Sequence, residues 1–372
     1  MNANELFQEV VRLTERGEKA AIATLISRLG SAPGALGAKM LVRSDGSTVG
    51  TIGGGCVEAD VWQAGMSAQE SGETVLLSFH LSGDDAAEGG LICGGKVEIL
   101  VEPVDQRQSP VYRRLSEILG SRGRALLGTV LPDVSVDSEA APRPAAHPAP
   151  AAHPAPAVGA KGLWTAEGET AGQLSDSIPG DIVAALLNTS SGSGVSIQKA
   201  DIAGRPTKVL LEVFAPRATV FVFGAGHISR EIAALAKHVG FRVVVLDDRA
   251  LFLDRAAFPD ADELILVDFA DVVGTLPIDR DSYLVIVTRG HQHDRVVLEQ
   301  ALRTGARYVG MIGSRSKVAT IKAALGDAGF AKEELDAVHA PIGIRIAANS
   351  PEEIAVSIVA ELINVRGTPA PG

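Results

Sequence analysis

Residues 37–50 of this chain recur, altered, at 159–172, and that repeat limits what the first half can fold into. Gly37-Ala38-Lys39-Met40-Leu41 is followed by Asp45-Gly46-Ser47-Thr48-Val49-Gly50. The echo is Gly159-Ala160-Lys161-Gly162-Leu163, then Glu167-Gly168-Glu169-Thr170-Ala171-Gly172. In the first stretch two strands flank Asp45-Gly46, a strong hairpin signal. Upstream, Ala20 to Ile26 resembles Ala125 to Leu131, and both stretches lead on to a helical pattern and an apolar strand, the second being Val209 to Phe214. Residues 1–215 therefore read as one unit made of two copies, 1–105 and 106–215. The alternative is chance similarity between two hairpins. Inside the second copy, Ala-Ala-His-Pro-Ala-Pro occurs twice in residues 145–156. Proline this dense predicts an extended, solvated insert over about 133–158 and no core.

The two copies differ at one place. After its hairpin the first runs Gly50-Thr51-Ile52-Gly53-Gly54-Gly55-Cys56 into a helix with Val57, Val61, Ala64 and Ala68 on one face. The second has Asp176-Ser177-Ile178-Pro179-Gly180 and no thiol. Glycines let a backbone approach a bound group, and a helix start favours an anion and lowers a thiol pKa. The other cysteine, Cys93, also precedes a glycine pair, Gly94-Gly95. The plainer reading is a tight turn with two small buried thiols. Because the second copy dispenses with glycines and cysteine, the first-copy residues favour a ligand.

Residues 216–372 alternate strands and helices, which predicts a parallel, doubly wound sheet. Thr219 to Phe223 is an apolar strand, and Gly224-Ala225-Gly226-His227-Ile228-Ser229 opens a helix. This is a dinucleotide fingerprint with Ser229 in place of its third glycine. Asp247 stands 23 positions after Gly224, near the usual spacing of about 20 for an acid on a ribose hydroxyl. The alternative is a Rossmann-like unit whose nucleotide site is vestigial. Loops at Thr288 to Asp294 and Gly310 to Lys317 follow later strands, where ligands of such sheets bind. Arg289, Arg315 and Lys317 suit a phosphate. His291, His293 and Asp294 suit a metal or acid–base group, though a histidine orienting its loop by hydrogen bond is the plainer reading. No catalytic residue is assigned.

The formal charge of −11 argues against nucleic acid or an anionic membrane as main partner. Glu5, Glu9 and Arg12 interrupt the apolar core that a signal peptide needs. No uncharged apolar run approaches the roughly 18–20 residues of a membrane span. A cytoplasmic protein with reduced thiols is expected.

Taken together, these residues resemble the XdhC/CoxI family. The first unit contributes Gly30 to Pro33, Gly37 to Met40, Gly50 to Cys56 with Glu58, Cys93 to Gly95 and Glu102-Pro103. The last unit contributes Phe223 to His227, Asp247 to Arg249, Thr288 to His291, Tyr308 to Arg315, Pro341 to Gly343 and Pro351 to Ser357. The chain departs at Gly34, where a basic residue is expected, and in the insert. The resemblance implies an accessory factor of xanthine dehydrogenase and related molybdenum hydroxylases. Such factors bind the molybdenum cofactor (molybdopterin), assist its sulfuration with a cysteine desulfurase-type sulfurase, and pass it to the apo-hydroxylase; a homodimer is plausible from the family alone. The implied cofactor residues are Gly53, Gly54, Gly55, Cys56 and Cys93, the thiols serving as soft ligands. In the last unit they are Gly224, Gly226, His227, Asp247, Arg249, Arg289, His291 and Arg315, for a dinucleotide such as NAD(P). The competing reading is an NAD(P)-dependent oxidoreductase or a nucleotide-sensing regulator.

Overall fold

A computed structural model of the chain describes residues 3–30, 33–81, 95–133, 136–137, 157–168, 170–174, 178–189, 194–202 and 204–368. Within helices and strands, the side chains of Cys56, Leu81, Val136, Asp137, Thr170 and Thr189 are also outside the description. The chain separates into two compact units, 1–215 and 216–372.

The first unit begins with helix α1 (Ala3–Glu15) and strands β1 (Ala20–Gly30), β2 (Lys39–Arg43) and β3 (Thr48–Gly50). Helix α2 (Cys56–Ser71) follows, then β4 (Val75–Leu81) and β5 (Gly95–Val104). The same order repeats as α3 (Ser109–Gly120), β6 (Ala125–Val130), β8 (Lys161–Thr165), β9 (Thr170–Gly172), α4 (Gly180–Thr189), β10 (Gly194–Ile202) and β11 (Arg205–Phe214). The sheets have matching strand orders, β3-β2-β1-β5-β4 and β9-β8-β6-β11-β10. The unit is thus an α+β fold with an internal duplication. Matching glycines hold matching turns. Gly50 and Gly172 have φ of 85° and 96°, and a Cβ on them would lie 2.3 Å from the Lys39 carbonyl oxygen and 2.4 Å from that of Lys161. One element has no counterpart. The two-residue strand β7 (Val136–Asp137) pairs in parallel with β4, so a segment expected to be solvated linker extends the first sheet. The alanine–proline repeat lies outside the described residues.

Each sheet buries two faces. Residues of β1, β5 and α2 form one core, including Ala23, Val61 and Ile99. The second sheet packs with α4 in the same way, through Leu126, Val183 and Val209. The opposite faces share a core in which α1 and α3 meet both sheets, through Phe7, Tyr112, Leu115 and Phe214. Alternation along a strand puts Glu102 on the face of Leu100 and Val104, and Glu212 on the face of Leu210 and Phe214. Both carboxylates are therefore buried, and each is met by a lysine from the other sheet. Lys39 Nζ lies 2.5 Å from Glu212, with side-chain exposures of 8% and 5%. Lys161 Nζ lies 2.8 Å from Glu102, with exposures of 3% and 4%. Each ammonium also donates to a threonine across its own hairpin, Lys39 to Thr24 and Lys161 to Thr129, both at 2.9 Å.

The second unit holds five parallel strands, β12 (Thr219–Phe223), β13 (Arg242–Asp247), β14 (Glu263–Leu266), β15 (Ser282–Ile286) and β16 (Tyr308–Met311). Their order is β14-β13-β12-β15-β16. Helices α5 (His227–His238) and α9 (Pro351–Gly367) cover one face. On the other lie α6 (His291–Ala301), α7 (Arg315–Asp327) and α8 (Lys332–Asp336). This is the Rossmann-like, doubly wound sheet that the alternation predicts. Helix α9 starts with the expected capping box, Ser350 Oγ accepting from the Glu353 amide.

Burial works against the Lys161 charge, but Glu102 outweighs it and holds the ammonium above its ordinary value. A raised lysine contributes its stability at any pH below its unfolded value and loses it only as pH rises through the folded value. The contribution is therefore constant through neutral pH. Lys161→Met should lower the unfolding free energy of the first unit by about 3–5 kcal/mol, because it leaves Glu102 bare in the core. Adding Glu102→Leu should recover most of the loss. Urea denaturation of the three variants measures both steps, and equal loss in single and double variants would contradict the pairing.

Candidate functional site

The first candidate is the turn between β3 and α2. Gly53, Gly54 and Gly55 have φ of 137°, 81° and 75°, a run that residues with a Cβ rarely adopt. Close packing also requires glycine nearby. A Cβ on Gly34 would lie 2.4 Å from the Ile52 carbonyl oxygen, and one on Gly53 would lie 3.1 Å from the Pro33 carbonyl carbon. Gly54 meets nothing within 4 Å, so its outer side is open. Gly55 is the N-cap of α2 without a side-chain cap, and Cys56 is the helix's first residue. The Cys56 side chain and all of Cys93 lie outside the described residues.

Part of the anion expected at this helix start comes from the chain itself. Glu58, one turn into α2, turns its carboxylate back into the loop. Its Oε1 accepts from the amides of Ile52 at 3.2 Å and Gly54 at 3.1 Å, and from the Thr51 hydroxyl. The Thr51 hydrogen bond, supported by the backbone amides, holds the Glu58 carboxyl below its ordinary value. An internal anion thus fixes the turn and leaves Gly55 and Cys56 as the open start of the helix. Gly34 lacks the expected basic side chain, but Arg28 donates to its carbonyl at 2.7 Å. Arg28 supplies charge at that corner, and its place at the exposed end of β1 gave no signal in the sequence.

The second candidate lies at the carboxyl ends of the parallel strands, where the order reverses between β12 and β15. Gly224, at φ 114°, is forced by contact, since a Cβ would lie 2.5 Å from the Val287 carbonyl oxygen. Gly226 has nothing within 4 Å and caps α5. His227, His291 and Arg315 are the exposed first residues of α5, α6 and α7, so three helix starts gather at this edge.

Asp247 is placed at the expected strand end but does other work. It is 1% exposed. Its Oδ2 accepts from the Ala225 amide at 2.7 Å and from the Arg249 guanidinium at 3.0 Å. Its Oδ1 accepts from the Arg249 amide at 3.0 Å and Nε at 2.8 Å. Burial pushes the carboxyl up, but hydrogen bonds from Arg249 and Ala225 outweigh it and hold the group low. The carboxylate ties the glycine loop to β13, in place of the free ribose acceptor expected. Arg249 stacks over Phe252 at 3.7 Å, and Arg289 pairs with Asp248 at 2.9 Å.

The cluster expected around His291 does not assemble. Asp294 is fully buried, accepting from the Thr288 hydroxyl at 2.6 Å and from Lys317. Lys317 is thereby committed and is not a free phosphate ligand. His293 rests against Phe269 at 5.4 Å. Among the described residues no group of three histidine, cysteine or carboxylate side chains is arranged to hold a metal ion. Sequence reasoning missed a further group, Glu361, which accepts from the Tyr308 hydroxyl at 2.5 Å and faces His339 Nδ1 at 3.2 Å.

Fold and sites define a two-unit protein that joins a glycine-rich, thiol-bearing α+β unit to a Rossmann-like unit. A family model described as the XdhC Rossmann domain matches residues 220–362, and one described as the XdhC and CoxI family matches 13–80. The chain belongs to the XdhC/CoxI family. It is 27% identical, over 95% of each chain, to a Bacillus subtilis protein named as a probable xanthine dehydrogenase subunit. It is 21% identical to the Escherichia coli protein named molybdenum cofactor insertion chaperone PaoD, over 94% of this chain and 84% of that one. A Bacillus halodurans crystal structure described as a xanthine dehydrogenase superposes with a TM-score of 0.75 at 26% identity, covering 98% of this chain and 96% of that chain. Among the described residues no helix is long and apolar enough to cross a membrane.

A depressed carboxylate contributes stability above its unfolded pKa and loses it as pH falls through the folded value. Glu58→Gln should therefore melt lower than the parent at neutral pH, by an amount equivalent to about 1–2 kcal/mol. The gap should close on acidification through the depressed Glu58 value. Melting curves across acid pH measure it, and a gap unchanged by pH would contradict the role given to Glu58.

Proposed function

We propose that this chain is a cytoplasmic accessory factor that binds the molybdenum cofactor, assists its sulfuration and delivers it to xanthine dehydrogenase or a related molybdenum hydroxylase. One observation carries the reading: nearly the whole chain is similar both to a protein named for xanthine dehydrogenase and to one named as a molybdenum cofactor insertion chaperone. The chemistry of the first unit supports it. Cys56 opens α2 behind an uncapped Gly55, and the helix start favours a thiolate. Thiolates are soft ligands suited to a thiophilic metal and to carrying sulfur as a persulfide. Gly54 meets nothing within 4 Å, which leaves the turn open beside that helix start. Arg28 is placed to offset cargo phosphate. Cys93 is the second thiol of the proposal, a cysteine desulfurase-type sulfurase is the sulfur donor, and a homodimer is the working assembly.

The geometry of the second unit favours one additional reading. Gly226 and the starts of α5, α6 and α7 form an edge suited to the phosphates of a nucleotide. Saturation of Asp247 by Arg249 disfavours an unmodified ribose diol at that carboxylate. Calorimetric titration with NAD(H), NADP(H) and ATP tests this edge, and absence of heat with all of them removes both the oxidoreductase and the nucleotide-sensing readings.

Protein purified from its own host should contain molybdenum and pterin. Replacing both thiols, Cys56→Ser with Cys93→Ser, should remove the copurified molybdenum while leaving the circular dichroism spectrum unchanged. Unchanged metal content would overturn the assignment of the thiols. Absence of molybdenum and pterin from the parent would overturn the function.

A further inference from the structure

Asp247 ends β13, where a Rossmann-like unit that takes an unmodified ribose keeps an acid free for the sugar hydroxyls. Here that acid is filled. Its two oxygens accept from the Ala225 amide, from the Arg249 amide, and from Nε and Nη2 of the Arg249 side chain. A carboxylate has room for about four donors, so no lone pair is left for a hydroxyl. The next acid does not take over the duty. Asp248 Oδ1 is buried, and its Oδ2 is held by Arg289 at 2.9 Å.

What this corner offers instead is donors. A guanidinium carries more N–H groups than one carboxylate can take. Arg249 spends Nε and Nη2 on Asp247, and its Nη1 has no acceptor among the described residues. Arg289 spends only Nη2, on Asp248. The Asp248 carboxylate lies between the two, with Oδ1 3.6 Å from Arg249 Nε and Oδ2 on Arg289. Two guanidinium groups, from the loops after β13 and β15, therefore converge. Their side chains are 28% and 49% exposed, so both are reachable from solvent. Phe252 lies against the Arg249 guanidinium at 3.7 Å and fixes its plane. Two backbone amides share the Asp247 charge with Arg249, so the outward ends of the guanidinium groups keep positive potential. A phosphate monoester needs such donors, because its oxygens accept from the forked N–H groups of arginine. A ribose diol needs an acceptor and finds none on Asp247. Leu266 on the neighbouring strand stands in register with Asp247 and is exposed, as is Leu251. They give apolar surface beside the arginines for the face of a base.

We propose that this corner selects a dinucleotide whose ribose carries a 2′-phosphate, as in NADP(H), over one with a free diol, and that Arg249 and Arg289 hold the phosphate. The selection rests on the nucleotide reading of the second unit given above and names which nucleotide that edge takes. Calorimetry on the full-length chain compares NADPH with NADH, and adenosine 2′,5′-bisphosphate with adenosine 5′-monophosphate. The 2′-phosphorylated member of each pair should bind about tenfold tighter or more, the effect of a charge-assisted hydrogen bond. Arg289→Ala, at a half-exposed side chain, should remove most of that difference. Arg249→Ala also frees Asp247, so it should weaken NADPH, strengthen NADH and reverse their order. Melting temperatures equal to the parent's separate these effects from misfolding, and Arg289→Ala carries the test alone where Arg249→Ala melts early. Equal affinity within both pairs in the parent, tighter binding of NADH, or a 2′-phosphate preference kept by both variants overturns the selection and leaves the nucleotide reading standing. Absence of binding by every probe overturns both.

Discussion

Two lysine ammonium groups cross between the sheets of the first unit, and the arrangement of that unit depends on the crossing. An ion pair taken out of water loses hydration that its own attraction barely restores, so burial alone does not explain its presence. Position does. Glu102 lies opposite Ile22 on β1, and Glu212 lies opposite Leu127 on β6, at matching places in matching sheets. Lys39 lies opposite Thr24, and Lys161 opposite Thr129. The shared core is otherwise apolar and would tolerate sliding of one sheet over the other. A slip by one strand position would leave two ammonium groups and two carboxylates bare in that core. The reciprocal pairs therefore fix the register in which α1, α3 and both hairpins meet.

The sequence exposed half of this device. Lys39 and Lys161 stand at the same place in the two echoing hairpins, because a hairpin is a local pattern written in adjacent residues. Their partners were not legible as partners. Glu102 and Glu212 sit in different copies from the lysines they hold, and strand alternation identifies a buried face without saying what crosses to it. The Rossmann-like unit was legible for the same local reason, since each strand, glycine turn and helix start is contiguous. What escaped was the use of side chains that fold back. Asp247 has the spacing of a ribose ligand, yet Arg249 two residues later closes on it. Glu58 has the place of an ordinary first-turn acid, yet it becomes the anion of its own loop. Both choices are made by rotamers, which spacing does not encode.

The two candidate sites share one construction. In each, a buried or half-buried acid is spent on backbone amides and a nearby donor, and the exposed groups stand beside it. Glu58 fixes the turn before Cys56, Asp247 fixes the loop before His227, and Asp294 fixes the loop before His291. Acids held this way keep a loop in one conformation before any ligand arrives, which lowers the ordering cost of binding. The side chains of His227, His291 and Arg315 stand exposed beside these held acids.

The duplication has a consequence for how such a site is inherited. Two separate, identical chains assembled through the same lysine–glutamate crossing would carry every residue twice and would part on dilution. Joined in tandem, the halves meet at an effective concentration set by their link, whatever the abundance of the protein. They are also released from identity. One half keeps three glycines and a cysteine while the other changes them and still closes the core. A change at the Gly53–Cys56 turn is therefore made once, on one side, against a scaffold that does not have to change with it.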